Sequence, residues 1–341
     1  MRINHAIIGC GRVSHNHLYA CSKLKNVDVV HFCDVDLNKA KELSSKVPLA
    51  FCCSDYTEII SNPRIDSVSV CTDHGSHYDI AIKCIQNDKH VIIEKPVCIR
   101  DEDARELEII SKMHPNVTIS VVSQHRYDPL VNAVYNIIQS ASIGKVTAIS
   151  GFVQCSKKEE YYNGWRGKLS TEGGSALINQ GIHTLDLMIW MGGNIEKVFA
   201  FANKMKFLNN ETEDNICAAL LFSNGAIGTL VSTNTSSVEW DSYIDVVGES
   251  GSIRFTTDYP NRILSVMLTK NPEVADELKR YETYRTEPPV GMHYYGISHN
   301  PQLKNFFNTI AGKDRLKVGL HDGVQTLKIV NMIYNSARNI K

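Results

Sequence analysis

The sequence has 341 residues, longer than one ordinary domain and shorter than three, so two domains that share a cleft are the starting expectation. Its 36 basic and 37 acidic residues leave the chain close to neutral. This balance argues against a nucleic-acid-binding protein, and any anionic ligand must be held by local Arg and Lys side chains.

The cysteines and the N-terminus bear on the compartment. Ten cysteines occur without a C-x-x-C pair, and some lie inside apolar runs such as Ser67 to Cys71, so we expect reduced, buried thiols. No metal-ligand spacing is present, so zinc chemistry is not expected. The chain begins in a strand-like run, without a basic leader or an apolar span of about twenty residues. We expect a cytoplasmic protein with no membrane partner.

Strand-like and helical segments alternate through the first 122 residues. Strand-like runs occupy 4–8, 27–33, 49–51, 65–71, 90–94 and 117–122, and helical patterns occupy 14–24, 37–46, 77–87 and 102–113. This alternation predicts an α/β domain with a doubly wound parallel sheet of the Rossmann type, which binds ligands beyond the carboxyl ends of its strands. We place this dinucleotide-binding domain at residues 1–124.

A glycine turn follows the first strand-like run. Gly9 and Gly11 allow a tight turn and close approach of a pyrophosphate to a helix N-terminus, while Ser14 replaces the usual third glycine. Such a turn needs glycine with or without a phosphate. Asp34 strengthens the interpretation, because a carboxylate after the second strand can accept hydrogen bonds from the adenosine ribose and repels a 2′-phosphate, which favours NAD. Asp36 competes for this role, but we expect it to cap the next helix.

Two further strand ends point to the same edge of the sheet. After the fourth strand, Thr72 and His77 are expected beside the cofactor, and a loop closed by Ser76 as an N-cap is the alternative, with both roles possible together. The segment Glu94 to Pro96 ends the fifth strand. Because a residue before proline is held extended, the side chain of Lys95 has a fixed direction.

The second half changes character. A helix is predicted at 129–140, and alternating runs at 145–154, 195–204, 216–222, 226–233, 243–247, 252–255 and 264–268, joined by turns such as Asn224-Gly225, predict an antiparallel sheet with one covered face. We place an α+β substrate and oligomerisation domain with a large, mainly antiparallel open sheet at residues 125–341. Its C-terminal helix, with an apolar stripe of Leu327, Val330 and Ile333, could return to the first domain. The open sheet favours a homodimer or homotetramer.

One helix, predicted at about 175–191, interrupts these strands. Asn179, His183 and Asp186 are spaced to share one polar line on an otherwise apolar helix, so they need partners. A satisfied core histidine is the ordinary explanation. The preceding Gly173-Gly174 favours the alternative, because a glycine pair lets another group approach the backbone closely.

These motifs, taken in order, resemble the Gfo/Idh/MocA oxidoreductases, the glucose-fructose oxidoreductase and inositol dehydrogenase family. The resemblance covers essentially the whole chain. It is carried by Gly9-Cys10-Gly11, Asp34, Glu94-Lys95-Pro96, Trp165-Arg166 and the segment from Gly173-Gly174 to Asn179-Gln180-Gly181-Ile182-His183.

The resemblance implies NAD as cofactor and a role for individual residues. Lys95 and His183 would carry the chemistry, with either as the proton acceptor. The implied cofactor-binding residues are Gly9, Gly11, Arg12, Val13, Asp34, Thr72, His77, Glu94, Gln124, Trp165 and Arg166. The implied substrate-binding residues are Lys95, Arg126, Tyr127, Asn179, His183, Tyr294 and His299.

One position departs from the family pattern. Many relatives have Asp where this chain has Asn179, and an amide cannot shuttle a proton. A mechanism that needs a carboxylate at this position therefore does not transfer to this chain. Glu94 is expected to position other groups, kept ionised by its neighbour Lys95.

Within the family, the chain is similar to the bacterial nucleotide-sugar branch, whose members oxidise C3 of UDP-N-acetylglucosaminuronate for surface-polysaccharide amino sugars. The implied partner is a sugar or nucleotide-sugar substrate. Three alternatives stay open: another sugar or polyol (inositol-type) dehydrogenase or ketosugar reductase, an NAD-dependent glycosidase, and a non-catalytic cofactor-sensing regulator.

Overall fold

The computed structural model describes residues 2–269, 272–282 and 298–338. The chain forms two compact units. Of the described residues, the first unit contains 2–123 and 298–327, and the second contains 124–269, 272–282 and 328–338. In the described part of the chain, every helix is too short or too polar to cross a bilayer.

The first unit is built on a six-stranded parallel sheet with the order β3-β2-β1-β4-β5-β6. Its strands are β1 (Ile3–Ile8), β2 (Val27–Cys33), β3 (Phe51–Cys53), β4 (Ser67–Val70), β5 (His90–Ile93) and β6 (Ile119–Val121). Its first five helices are α1 (Ser14–Ser22), α2 (Leu37–Ser44), α3 (Thr57–Ser61), α4 (His77–Gln86) and α5 (Asp101–Met113). The predicted doubly wound sheet is confirmed.

Local chemistry explains where these elements begin. Helix α2 starts after Asp36, whose carboxylate accepts the N–H of Asn38 at 3.1 Å, so the predicted N-cap is confirmed. The third strand was predicted two residues too early. Leu49 has a positive φ of 64° and is 94% exposed, which excludes it from a paired strand.

The second unit contains a seven-stranded sheet with the order β13-β12-β11-β7-β10-β9-β8. The strands are β7 (Val146–Ser156), β8 (Ile195–Asn203), β9 (Asn215–Phe222), β10 (Ile227–Thr233), β11 (Thr235–Gly248), β12 (Gly251–Thr256) and β13 (Ile263–Leu268). Neighbouring strands are antiparallel except for β7 and β10, which are parallel. The predicted α+β architecture with a mainly antiparallel sheet is confirmed.

The second unit also contains α6 (Pro129–Gln139), α7 (Ile182–Gly192) and α8 (Val274–Lys279). Helix α7 lies directly on β7, because a Cβ added at Gly151 would come within 2.6 Å of Met188 Sδ. The single helix predicted at 175–191 is wrong in detail: residues Ala176–Gly181 form a π-helical turn, and α7 begins only at Ile182.

Two C-terminal helices complete the chain, α9 (His299–Ile310) and α10 (Leu320–Arg338). Helix α9 and the start of α10 belong to the first unit, and residues 328–338 belong to the second. The Phe307 ring contacts His5 edge-on at 5.1 Å. Gln302 accepts the Ser123 N–H at 3.1 Å and donates to the carbonyl of Val121 at 2.8 Å. A late segment of the chain therefore completes the core of the first sheet.

Gly9→Ala should lower the free energy of unfolding by about 2 to 4 kcal/mol, because the residue has a φ of +91° and its Cβ would lie 2.5 Å from the Cys71 backbone. Gly11→Ala is the matched control, since a Cβ there meets nothing within 4 Å. Urea titration of both variants measures the difference. Equal stability of the two variants would show that the contact between the glycine turn and the end of β4 is wrong.

Candidate functional site

Predicted site residues of the first unit follow four neighbouring strands. Gly9 comes after β1, Asp34 after β2, Thr72 after β4 and Lys95 after β5. All strand pairs of this sheet are parallel, so these residues share one edge. The structure therefore brings together residues that the sequence separates.

The turn after β1 fits a bound pyrophosphate. Gly9 donates its N–H to the carbonyl of Cys33 at 2.8 Å, while Gly11 is exposed and its missing side chain leaves open space. Helix α1 begins after Val13 without a side-chain N-cap. An N-terminus that no side chain caps is suited to an anion, because its N–H groups and the helix dipole favour negative charge. Arg12 is exposed beside the same turn.

Asp34 is fixed by backbone hydrogen bonds. One carboxylate oxygen accepts the N–H of Cys10 at 2.8 Å, and the other accepts the N–H of Asp36 at 2.9 Å. A carboxylate has about four acceptor positions, so it can also accept two ribose hydroxyls. The glycine turn and Asp34 together fit the adenosine half of a dinucleotide.

Glu94 is buried and held by two histidines. Its Oε1 lies 3.0 Å from His17 Nε2 and 3.3 Å from His299 Nε2, and Oε2 accepts the N–H of Lys95 at 3.2 Å. Burial would raise the pKa of Glu94, but the hydrogen bonds from His17 and His299 outweigh it and hold the pKa well below the usual range. The expectation that the charge of Lys95 keeps Glu94 ionised therefore needs correction, since the two histidines do so.

This arrangement also resembles a metal site in its donor set. The ligating atoms of His17, Glu94 and His299 all lie within 4.8 Å of one another. Each histidine–carboxylate distance is that of a hydrogen bond, and His17 Nδ1 is oriented by Ser69 Oγ at 2.8 Å. We interpret the group as a hydrogen-bonded support for the end of β5. His299 therefore contacts Glu94, whereas the sequence predicted that His299 binds the sugar.

His77 has a structural position that the sequence did not indicate. It is fully buried, with Nδ1 2.7 Å from the carbonyl of Pro96 and Nε2 3.3 Å from that of Thr72. Burial lowers the pKa of His77, which favours the neutral ring. A neutral ring has one N–H to donate, and the shorter distance to the Pro96 carbonyl favours Nδ1 as the donor. This hydrogen bond ties the start of α4 to the loop after β5. Ser76 occupies the expected N-cap position of α4 but makes no side-chain capping hydrogen bond, and Asp73 caps the short helix before it.

In the second unit, His183 lies in the first turn of α7 and is half-buried. Its ring meets His125 edge-on, with centroids 5.2 Å apart. His125 Nδ1 lies 2.8 Å from Asp128 Oδ2, and its Nε2 lies 3.3 Å from the amide nitrogen of Gln124, which is buried. The sequence analysis missed His125 and Asp128. Their spacing of three residues was the available signal.

Arg126 and Asp186 form a buried ion pair. Arg126 Nε and Nη2 donate to the two carboxylate oxygens of Asp186 at 2.8 and 2.7 Å. Both side chains are more than 90% buried. The charge of Arg126, which the sequence assigned to the sugar, is therefore balanced inside the unit. Tyr127, the next residue, is half-buried.

The three polar residues predicted to share one line on the helix, Asn179, His183 and Asp186, contact separate partners. Asn179, in the π-helical turn, donates to Glu172 Oε1 at 2.7 Å and to the hydroxyl of Tyr161 at 3.0 Å. His183 and Asp186 have the contacts described above. Glu172 was not among the predicted site residues, because it precedes the glycine pair and no periodicity marks it.

Trp165 and Arg166 lie together in the second unit. The Arg166 guanidinium lies 4.4 Å from the Trp165 ring centroid and 4.6 Å from that of Tyr161. The glycine pair was expected to admit another group, and at Gly174 this group is a side chain, because an added Cβ would clash with the Tyr334 hydroxyl. Tyr294, also predicted to border the sugar, lies outside the described residues.

The chain matches two family models that together cover most of its length. Residues 3–121 match "Oxidoreductase family, NAD-binding Rossmann fold", and residues 136–341 match "Oxidoreductase family, C-terminal alpha/beta domain".

Individual relatives agree with this match. The WlbA dehydrogenase of Bordetella pertussis, solved in complex with NADH and UDP-GlcNAcA, is 26% identical with a TM-score of 0.89, covering 99% of this chain and 96% of that one. The myo-inositol 2-dehydrogenase of Thermotoga maritima is 23% identical, over 96% of this chain and 93% of its own length. The scyllo-inositol 2-dehydrogenase (NAD(+)) of Bacillus subtilis is 24% identical, over 74% and 73%. The chain belongs to the Gfo/Idh/MocA oxidoreductase family and is an NAD-dependent dehydrogenase of its sugar and polyol group.

Proposed function

We propose that this enzyme oxidises a secondary hydroxyl of a nucleotide-linked sugar acid, namely C3 of a UDP-N-acetylhexosaminuronate, in surface-polysaccharide biosynthesis in the cytoplasm. The observation that carries the proposal is the likeness to the Bordetella WlbA dehydrogenase, which extends over 99% of this chain and was solved with NADH and UDP-GlcNAcA. The Chromobacterium violaceum WlbA enzyme, solved with the same two molecules, is 25% identical with a TM-score of 0.88.

The first unit supplies the cofactor residues of this proposal. Gly9, Gly11, Arg12 and Val13 line the pyrophosphate, and Asp34 accepts the ribose hydroxyls. A bound NAD supplies a nicotinamide ring that accepts hydride from the sugar carbon. A carboxylate in the position of Asp34 repels a 2′-phosphate, which favours NAD over NADP.

Lys95 and His183 are the proposed catalytic residues. An imidazole takes up a proton near neutral pH, so His183 accepts the hydroxyl proton as the sugar is oxidised. A lysine ammonium such as that of Lys95 is suited to donate a hydrogen bond to the oxygen of the reacting alcohol and to stabilise its developing negative charge. The reverse assignment uses the same two groups. The contact with His125, itself held by Asp128, fixes the orientation of the His183 ring.

The remaining predicted residues have narrower roles. Arg126 contributes a fixed hydrogen-bond donor rather than a countercharge, because Asp186 balances its charge. Tyr127 and Asn179 border the sugar from the second unit. Trp165 and Arg166 present an aromatic and a cationic group that suit a nicotinamide or a nucleotide. Thr72, His77, Glu94 and Gln124 shape the nicotinamide side, and Glu94 acts through the Lys95 backbone.

An inositol-type dehydrogenase is the second candidate. It is favoured by the Thermotoga maritima myo-inositol 2-dehydrogenase, which aligns over 96% of this chain at 23% identity. The same pair of Lys95 and His183 would serve either substrate, since both reactions oxidise a secondary alcohol. A non-catalytic cofactor sensor is disfavoured, because cofactor binding alone requires neither side chain.

The open face of the second sheet suits an interface between copies of this chain. On edge strand β8, Phe199 and Phe201 are 56% and 54% exposed, and on β10 Ile227 is 63% exposed. Exposed aromatic residues in a row on a sheet are typical of a protein interface. We propose a homodimer or homotetramer built on this face.

Lys95→Met and His183→Asn should each lower the single-turnover rate of cofactor reduction by about 10²-fold or more, the usual contribution of a proton-transfer or oxyanion-stabilising group. Stopped-flow absorbance of the nicotinamide measures this rate. Lys39→Met and His321→Asn, at exposed positions, are the matched controls. NADH binding by the variants, followed by fluorescence, should stay close to that of the wild type. Near-full rates in both catalytic variants would overturn the assignment.

A substrate panel separates the two candidate functions. With NAD present, UDP-N-acetylglucosaminuronate should be oxidised with a kcat/KM at least about tenfold above those of myo-inositol, scyllo-inositol and free N-acetylglucosamine, since contacts to the nucleotide contribute binding energy. UDP-N-acetylglucosamine, which lacks the carboxylate, is the control for the sugar acid. A preference for an inositol would replace the first candidate by the second.

The double variant Phe199→Glu with Phe201→Glu should shift the enzyme to a smaller assembly, because two buried charges would oppose association. Light scattering after gel filtration measures the mass. Ile109→Glu, at a position 59% exposed on α5, is the control for adding charge to an exposed apolar site. A variant mass equal to that of an oligomeric wild type would place the interface elsewhere.

A further inference from the structure

Asn179, in the π-helical turn before α7, lies against a buried carboxylate. Its amide nitrogen donates one hydrogen bond to Glu172 Oε1 at 2.7 Å and a second to the Tyr161 hydroxyl at 3.0 Å. Both amide hydrogens are thus committed, so the side chain has one orientation. Asn179 precedes His183 by four residues, across the junction between the π-helical turn and α7.

Glu172 is also connected to the segment that carries Trp165 and Arg166. Its second oxygen accepts the Gly167 N–H at 2.6 Å. Gly167 has a φ of +77°, and an added Cβ would lie 2.9 Å from Asn210. The backbone at this point therefore has little freedom, and the carboxylate joins two segments of the second unit.

Burial and the neighbouring groups act on the pKa of Glu172 in opposite directions. Burial raises the pKa of Glu172 to about 7, against the hydrogen bonds from Gly167 and Asn179 and the nearby positive charge of Arg166. The carboxyl of Glu213 adds repulsion, and burial raises its own pKa. The nearby hydroxyls of Tyr162 and Tyr334 also have raised pKa values, so neither ionises in the neutral range.

The ionisation state of Glu172 determines the hydrogen bond that it can make with Asn179. As a carboxylate, it accepts the amide N–H and holds the nitrogen of Asn179 toward itself. As a carboxylic acid, it keeps acceptor capacity, but the hydrogen bond that it accepts is no longer charge-assisted and is weaker. Gain of one proton therefore loosens the contact that orients Asn179.

We propose that Glu172 is a positioning residue of the dehydrogenase site, whose carboxylate sets the orientation of Asn179 toward the sugar. The inference rests on the proposed function, in which Asn179 borders the substrate beside His183. Glu172 acts through Asn179 and transfers no proton to the substrate. The active form is the carboxylate, so activity rises as the pH increases through the range in which Glu172 ionises.

The test compares Glu172→Gln and Glu172→Asp with wild type across pH 5.5 to 9. Glu172→Gln should lower kcat/KM by roughly tenfold at high pH, the loss expected when a hydrogen bond to a charged group is removed. The proposed proton acceptor His183 contributes a pH dependence to every variant, so the readout is the ratio of wild-type to variant kcat/KM. For Glu172→Gln this ratio should increase with pH through the range in which Glu172 ionises. Glu172→Asp should recover part of the rate and reduce this increase. NADH affinity should match wild type in both variants.

Glu213→Gln is the matched control, because Glu213 is a buried carboxyl at the same π-helical turn. It accepts the N–H groups of Ser175 and Leu177 and the Tyr334 hydroxyl, and no described hydrogen bond joins it to Asn179. This control should lose thermal stability without the increase in that ratio at high pH. A ratio that increases with pH for Glu213→Gln but not for Glu172→Gln would overturn the proposal, as would a ratio for Glu172→Gln that does not change with pH.

A second measurement needs no substrate. A carboxyl whose pKa is raised on folding contributes stability that is present below its unfolded value and is lost as the pH rises through its folded value. The melting temperature of wild type relative to Glu172→Gln should therefore fall between about pH 4.5 and pH 7. If every sugar fails as a substrate, the proposed function is wrong, and this difference still tests the ionisation. A difference that does not depend on pH would overturn the inference itself.

Discussion

The burial of Glu94 is the constraint on which the candidate site of the first unit depends. An ionised carboxylate away from water is costly unless hydrogen bonds satisfy its oxygens, and here two imidazoles and the Lys95 N–H do so. His17 comes from α1, directly after the glycine turn, and His299 from α9. One carboxylate therefore fixes the backbone from which Lys95 projects relative to the turn that suits the pyrophosphate.

The alternation of strands and helices made the first sheet predictable. Apolar runs that end in glycine or a polar residue mark the carboxyl ends of parallel strands, and these ends must share one edge. Gly9, Asp34, Thr72 and Lys95 could therefore be grouped without coordinates. The second sheet was predictable as a class, because hydrophobic and polar residues alternate along its strands. The parallel pairing of β7 with β10 was not predicted, since alternation does not specify the direction of a neighbour.

The features that sequence could not give depend on contacts between distant residues. His299 meets Glu94 across 205 positions, and no periodicity reports such a contact. The residue types of Ala176–Gly181 do not distinguish a π-helical turn from an α-helix. The π-helical backbone changes which neighbours Asn179 can reach. The close approach at Gly174 was anticipated from the glycine pair, but the approaching group, Tyr334, lies 160 positions away, and the sequence does not identify it.

Each unit contains a buried carboxyl, Glu94 in the first and Glu172 in the second, and the two differ in ionisation. In the first unit, the histidines hold Glu94 ionised, so the support of Lys95 stays constant across the neutral range. In the second, burial outweighs the donors around Glu172, so its carboxyl changes charge within that range. Burial alone therefore does not decide whether a carboxyl in this fold is ionised at neutral pH, because the hydrogen-bond donors around each carboxyl must outweigh it.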